Sequence, residues 1–233
     1  MSQISTGVEC IDTSLGGGIN PKTITLIYGE PETGKSTLAM QIAVNCAAQN
    51  RKILFVDCDN SFSTKRLYEI SGDRFDKVAE RIILVKPIDF KEQTALIDQI
   101  QDYLVNVGLI VIDTFTSLYS AKTAQTSGKA FGVNRELNRQ LAILAQTIKI
   151  TKIPLIITSQ VRSVVGEQSS SVRPVATRVL KFWAETILFL KPSEFPQIIK
   201  ATIEKSPQLV DEAVCYIQIG ESGIRHTQLP ING

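Results

Sequence analysis

Eight consecutive residues, Gly29 to Ser36, have the residue types and the spacing of a phosphate-binding loop. Their sequence GEPETGKS fits the pattern GxxxxGK[ST], with a strand-like segment before it and a helix-like segment after it. Backbone N–H groups of such a loop surround phosphates, the lysine reaches the outer phosphates, and the serine hydroxyl binds Mg²⁺. The loop therefore predicts ATP and Mg²⁺ as cofactors. The predicted nucleotide contacts are Gly29, Glu30, Pro31, Glu32, Thr33, Gly34, Lys35, Ser36 and Thr37.

A second carboxylate fits the same site. Asp113 ends the apolar run LIVID, which starts at Leu109. In a parallel sheet this places Asp113 at the edge that carries the phosphate loop, where it can hold Mg²⁺ through water together with Ser36. An aspartate after a buried strand also serves as a cap or turn residue, and that alternative stays open.

Hydrolysis needs one more group that orients the attacking water. Asp57 and Asp59, in the segment FVDCDNS, are the candidates, and a helix cap or turn is the alternative role for each. Gln160, at the end of a later apolar run, is a candidate sensor of the γ-phosphate, or else a loop amide bonded to backbone.

Strand-like and helix-like segments alternate through the first two thirds of the chain. The apolar strands are Thr23–Tyr28, Ile53–Asp57, Ile82–Val85, Leu109–Asp113 and Pro154–Thr158. The segments of helical period are Lys35–Gln49, Ser63–Ile70, Phe90–Val105 and Val133–Ile150. Continuous apolar strands separated by helices predict an α/β fold with a mostly parallel, doubly wound sheet, which binds ligands at the carboxyl ends of its strands.

The last third of the chain has a different pattern. Three short segments, Thr186–Leu190, Ile198–Glu204 and Val214–Ile219, are predicted to be antiparallel strands at the sheet edge. Thr114–Gly132 and Val161–Ala176 lack clear periodicity and follow strand ends, so we interpret them as long loops that bind a partner. No linker is evident, and residues 1–233 are predicted to form a single domain.

Composition limits the remaining possibilities. The net charge of +2 indicates no polyanion partner by itself, and no apolar run is long enough for a membrane span or signal peptide, so a cytoplasmic protein is expected. Cys10, Cys46, Cys58 and Cys215 form no CxxC pair, and His226 is the single histidine. We expect reduced thiols, with neither a zinc site nor a disulfide.

Beyond these patterns, the sequence resembles the RecA/Rad51/RadA recombinase superfamily, and within it the archaeal RadB paralogs. The resemblance is carried by Ser5–Gly18 (STGVECIDTSLGGG), by the phosphate loop, and by Asn138–Ala142 (NRQLA) followed by Ile153–Val161 (IPLIITSQV). It implies a RecA-like P-loop NTPase core, with a role in homologous recombination and DNA repair.

The resemblance also implies site roles. The nucleotide and Mg²⁺ ligands of the family align with Lys35, Thr33, Ser36 and Asp113. Its γ-phosphate sensor aligns with Gln160, and an arginine that stacks on adenine aligns with Arg66. Asp59 lies where the recombinases have a catalytic glutamate. Because its side chain is about 1.5 Å shorter, we expect weak hydrolysis, with Lys35, Asp59 and Gln160 as the catalytic set.

For partners, the resemblance implies single-stranded DNA and a RadA-type recombinase. Only about twenty residues precede the first strand, so we expect a mediator or regulator, a monomer or small oligomer rather than a filament. Two alternatives remain: an ATP-regulated module that binds a partner protein without DNA, and a KaiC-like signalling ATPase. The predicted DNA contacts are Lys122, Lys129, Arg135, Arg162 and Arg173.

Overall fold

The computed structural model describes residues 2–126, 130–161 and 175–229. Within these residues, nine strands form one sheet. They are β1 (Ile24–Gly29), β2 (Lys52–Asp57), β3 (Ile82–Val85), β4 (Val107–Asp113), β5 (Leu155–Gln160), β6 (Thr186–Pro192), β7 (Ile198–Lys205), β8 (Ala213–Gly220) and β9 (Gly223–His226). The strand order across the sheet is β3-β2-β4-β5-β1-β6-β7-β8-β9. The first six strands by position are parallel and the last three add in antiparallel fashion. The predicted fold class is therefore confirmed.

Eight helices cover the two faces of the sheet within the described residues. They are α1 (Glu9–Ser14), α2 (Lys35–Ala48), α3 (Thr64–Ser71), α4 (Phe75–Ala79), α5 (Phe90–Asp98), α6 (Ser117–Gln125), α7 (Ala130–Thr151) and α8 (Val175–Trp183). The described residues also include two short 3-10 turns, Gly72–Arg74 and Ile100–Tyr103. Helices α1 to α4 pack on one face and α5 to α8 on the other, so each face has its own apolar core.

Burial explains why the central strands are continuous apolar runs. All residues of β1 and β4 are buried, since helices cover both faces of these strands. In β7, by contrast, buried and partly exposed residues alternate in the central part of the strand. The hydrophobic pattern of β7 thus differs from that of the central strands because helices cover the sheet less completely toward the β9 edge.

Two sequence predictions about elements are wrong. The segment Thr186–Leu190 lies in β6, which pairs in parallel with β1 and so belongs to the sheet interior rather than to an antiparallel edge. The predicted loop Thr114–Gly132 contains α6 and the start of α7. A weak apolar face kept α6 from being recognised, because few of its residues are buried.

The prediction that all cysteines are reduced is also wrong. Cys10 in α1 and Cys215 in β8 form a disulfide, with their Cα atoms 6.0 Å apart. A disulfide between residues 205 positions apart has no local sequence signal, since only the folded sheet brings α1 against β8. Cys46 and Cys58 are free and buried, and burial raises the pKa of the Cys46 thiol to about 11.

Within the described residues, no helix has both the length and the apolar character needed to cross a lipid bilayer.

Candidate nucleotide-binding site

The predicted phosphate loop joins the central strand β1 to helix α2. Gly29 ends β1, and a Cβ atom at this position would lie 1.9 Å from the carbonyl oxygen of Leu190 in β6. Gly34 has a left-handed conformation, with φ of 85°, and caps the amino end of α2. Only glycine fits both requirements, so the two glycines of the pattern fix the path of the loop.

Lys35 lies at the first turn of α2, where phosphates would bind. Its ammonium group is buried and donates a hydrogen bond to the carbonyl oxygen of Glu30, which also accepts one from the Thr33 hydroxyl at 2.8 Å. Burial lowers the pKa of Lys35, while the charges of Asp113 and Glu30 oppose that shift. A poorly solvated cation beside free backbone N–H groups is well suited to an anionic ligand.

Ser36 and Asp113 meet at the mouth of the loop, as the sequence predicted. The Ser36 hydroxyl donates to Asp113 Oδ1 at 3.1 Å, and the Thr158 hydroxyl donates to the same oxygen. Burial raises the pKa of Asp113 to about 6. Hydrogen bonds from Thr158 and Ser36 lower this pKa, whereas the negative charges of Asp59 and Asp57 raise it further. A hydroxyl and a carboxylate at this spacing supply the hard oxygen ligands that Mg²⁺ requires.

The two aspartates after β2 have different environments. Asp57 is buried; it accepts backbone hydrogen bonds from Ser61 at 2.9 Å and Phe62 at 3.1 Å, and pairs with Lys86 at 3.2 Å. Asp57 is therefore held by a turn. Asp59 is exposed and accepts a hydrogen bond from the Thr114 hydroxyl at 3.1 Å. Of the two, Asp59 is the one with free access to a water molecule.

Gln160 ends β5 directly beside Gly29, its register partner in β1. Gln160, Asp59 and Thr114 line one cavity of about 530 Å³, together with Ala176 and Thr177 of α8. The structure thus brings together the side chains that the sequence assigned to water orientation and phosphate sensing. Helix α8, which follows the second predicted loop, forms another wall of this cavity.

Arg66 lies on α3 at the turn between β8 and β9. Its guanidinium donates to the carbonyl oxygens of Glu221 at 2.7 Å and Gly220 at 2.8 Å, and pairs with Glu69 at 2.9 Å. Its proposed stacking on adenine therefore has to be compatible with these bonds, which use the edge of the guanidinium and not its face.

The predicted DNA contacts fall into two groups. Lys122 on α6 and Arg135 on α7 are exposed, on helices rather than on a loop. Lys129, Arg162 and Arg173 lie outside the described residues.

Four hydroxyl groups near the carboxylates were not predicted from the sequence. Thr158 binds Asp113, Thr114 binds Asp59, and the Thr116 and Ser159 hydroxyls lie 3.0 Å apart. All four residues lie within three positions of the carboxyl end of β4 or β5. Polar residues at the ends of adjacent apolar strands were the available signal.

Replacing Asp113 by asparagine is expected to stabilise the metal-free protein at pH 7.5 by about 1 kcal/mol. Burial raises the pKa of this carboxyl to about 6 in the folded state, so between about pH 4 and pH 6 the native protein holds a proton that the unfolded chain has released. At pH 7.5 the folded protein instead holds a buried negative charge, which the asparagine removes. Stability from this group is therefore present at low pH and is lost as the pH rises through about 6. The variant loses the attraction between Asp113 and Lys35, which limits the gain.

Urea unfolding in EDTA at several pH values measures this effect. The advantage of Asp113→Asn should shrink between pH 7 and pH 4, whereas Asp102→Asn, at an exposed position, should change little at any pH. An Asp113→Asn protein that is less stable than the wild type at pH 7.5 would contradict the expectation.

Comparison with known proteins extends the similarity over nearly the whole chain. The Rad51 family model matches residues 1–227. A DNA repair and recombination protein RadB from Methanothermobacter thermautotrophicus is 33% identical over 191 residues, which cover 80% of each chain. RadB from Thermococcus kodakarensis is 31% identical over 229 residues, covering 97% of this chain and 100% of that protein. A crystal structure of the RadB recombinase has a TM-score of 0.81 at 29% identity, covering 97% of this chain and 100% of the other.

Proposed function

This chain belongs to the Rad51 family, and from that premise we propose that it is a DNA-linked ATPase core acting in homologous recombination and DNA repair. We further propose that the protein hydrolyses ATP weakly and acts in the cytoplasm as a mediator or regulator of a RadA-type recombinase. The observation that carries the proposal is the contact of 3.1 Å between Ser36 and Asp113 beside the buried ammonium of Lys35.

Each residue of the site has a proposed role. Backbone N–H groups of the loop and Lys35 hold the β- and γ-phosphates, and Ser36 and Asp113 hold Mg²⁺, the latter through water. When bound, the metal neutralises charge that develops on the phosphate oxygens. Arg66 is proposed to contact the base through the face of its guanidinium.

Hydrolysis is proposed to depend on Asp59 and Gln160. Asp59 orients the attacking water, and its short side chain keeps the reaction slow. Gln160 contacts the γ-phosphate and passes its presence to the segment between β5 and α8. Their common cavity with Ala176 and Thr177 supports this, because Gln160 and the first turn of α8 border the same space.

Single-stranded DNA is the proposed nucleic-acid partner. Lys122 and Arg135 are exposed after the carboxyl end of β4, and Lys129, Arg162 and Arg173 belong to the two segments that follow β4 and β5. These cations are proposed to contact phosphates, which makes binding sensitive to salt and tolerant of sequence.

ATP hydrolysis with and without single-stranded DNA tests the proposal. We expect slow turnover by the wild type, stimulation by DNA, and at least a tenfold loss in Lys35→Ala because the outer phosphates lose their cation. Equal rates in the two proteins would remove the P-loop from the mechanism. Nucleotide-dependent binding of a partner protein without any DNA binding would instead favour the ATP-regulated module.

A further inference from the structure

A basic cavity lies at the edge of the sheet opposite the P-loop. It has a volume of about 710 Å³ and is formed where the chain enters β2, β4 and β5, with Arg81 directly before β3. These four strands are neighbours in the sheet, so their amino ends form one continuous surface. The charged and amide side chains that line it are Gln49, Asn50, Arg51, Lys52, Arg81 and Asn106.

The charge of this cavity is one-sided. Three cations, Arg51, Lys52 and Arg81, line it, and among the described residues no aspartate or glutamate does. Arg81 donates a hydrogen bond to Asn50. In the part of the chain that the structure describes, the side chains of Arg51 and Lys52 have no hydrogen bond or ion pair with another residue. Such cations repel one another, and an anionic ligand relieves that repulsion.

The sheet itself holds these cations in place. The side chain of Arg51 crosses Gly108 in β4, where a Cβ atom would lie 2.4 Å from Arg51 Cδ. The backbone N–H of Lys52 bonds the Asn106 carbonyl at 3.2 Å, and the next amide bonds the Arg81 carbonyl at 2.8 Å. Because adjacent strands fix their backbones, the three residues line one cavity without a mobile loop.

Helix ends explain only part of this arrangement. Arg51 follows the carboxyl end of α2, where a cation offsets the negative end of the helix dipole. Arg81 likewise lies two residues after the end of α4, so the same effect applies to it, but it does not account for Lys52, which lies inside β2. Asn50, Asn106 and Gln49 add amide donors of the kind that bind phosphate oxygens.

We propose that this basic cavity is a second phosphate-binding site, which takes the phosphodiester backbone of single-stranded nucleic acid. It is distinct from the nucleotide site, because the two sites lie at opposite ends of the parallel strands. A strand of the length of β2 spans about 20 Å. It also lies on the opposite edge from the DNA contacts proposed above, so one bound strand must pass around the sheet, or two strands must bind.

Fluorescence anisotropy with an oligo-dT probe at a series of salt concentrations tests the site. The measured quantity is the slope of log K for binding against log salt concentration, which is roughly −0.7 for each phosphate contact on a single strand. Removing three phosphate contacts should therefore reduce the size of this salt slope by about 2. We therefore expect Arg51→Gln/Lys52→Gln/Arg81→Gln to bind at least tenfold more weakly at low salt. An oligonucleotide with an uncharged methylphosphonate backbone should not distinguish this variant from the wild type.

Two controls isolate the site. Lys65→Gln/Lys91→Gln/Lys191→Gln removes the same charge from exposed positions elsewhere and should change affinity by no more than about twofold. Arg51→Lys/Lys52→Arg/Arg81→Lys keeps the charge and should retain most of the binding. A wild-type salt slope in the triple glutamine variant would overturn the inference. If Lys122→Gln/Arg135→Gln still weakens binding in that case, the proposed function stands without this site.

Discussion

Breaking the Cys10–Cys215 disulfide is expected to lower the free energy of unfolding by about 5 kcal/mol. The bond closes a loop across 205 residues, and a cross-link of that length removes a large conformational entropy from the unfolded chain. Guanidinium unfolding of the oxidised wild type and of Cys10→Ala/Cys215→Ala measures the difference. The same loss should appear when the wild type is fully reduced.

Cys46→Ala is the matched control, because it removes a buried thiol that is not part of the bond. It should cost only about 1 kcal/mol, the packing of one small side chain. Alkylation checks the pairing directly: the denatured, unreduced protein should take up label on Cys46 and Cys58 alone, and on all four cysteines after reduction. Four labelled cysteines without reduction would contradict the assignment.

Lengthening Asp59 to glutamate is expected to raise the rate of ATP hydrolysis by about 10- to 100-fold. A general base misplaced by about 1 Å loses a factor of that order, and the extra methylene restores the reach. Asp59 is exposed and lines the same cavity as Gln160, so the longer side chain has room. Steady-state phosphate release at saturating ATP and Mg²⁺ is the measurement.

The control for this variant is Asp59→Glu combined with Lys35→Ala, which should lose the gain if hydrolysis occurs at the P-loop. Asp57→Glu gives a second comparison, because Asp57 is fixed by Ser61, Phe62 and Lys86 and should not increase turnover when lengthened. A rate unchanged from the wild type in Asp59→Glu, with unchanged affinity for ATP, would exclude side-chain length as the cause of slow turnover.

The sequence was sufficient to predict features that depend on neighbours in the chain or on strand ends. The turn from β1 into α2 is local, and the carboxyl ends of β1 and β4 meet at one sheet edge, so Ser36 and Asp113 could be paired before the fold was known. The choice between Asp57 and Asp59 could not be made in this way, since it depends on Lys86 and Thr114, which come from other segments.

The remaining errors have the same origin. The parallel orientation of β6 is set by its pairing with β1 across more than 150 residues, and the disulfide is set by the packing of α1 on β8. Periodicity reports burial of a segment, and it does not report which strand lies beside it. Likewise, the three cations of the basic cavity come from two separate segments that only the sheet brings together.

The central position of β1 has a consequence for hydrogen exchange. Its amides lie between β5 and β6, with every residue buried, whereas β3 at the sheet edge is only partly covered. Local fluctuations expose the amides of edge strands first. The amides of a buried central strand such as β1 exchange only when the whole domain opens. The phosphate loop therefore begins on a strand whose amides exchange slowly, and a nucleotide binds to a loop whose first residue is already held by the sheet.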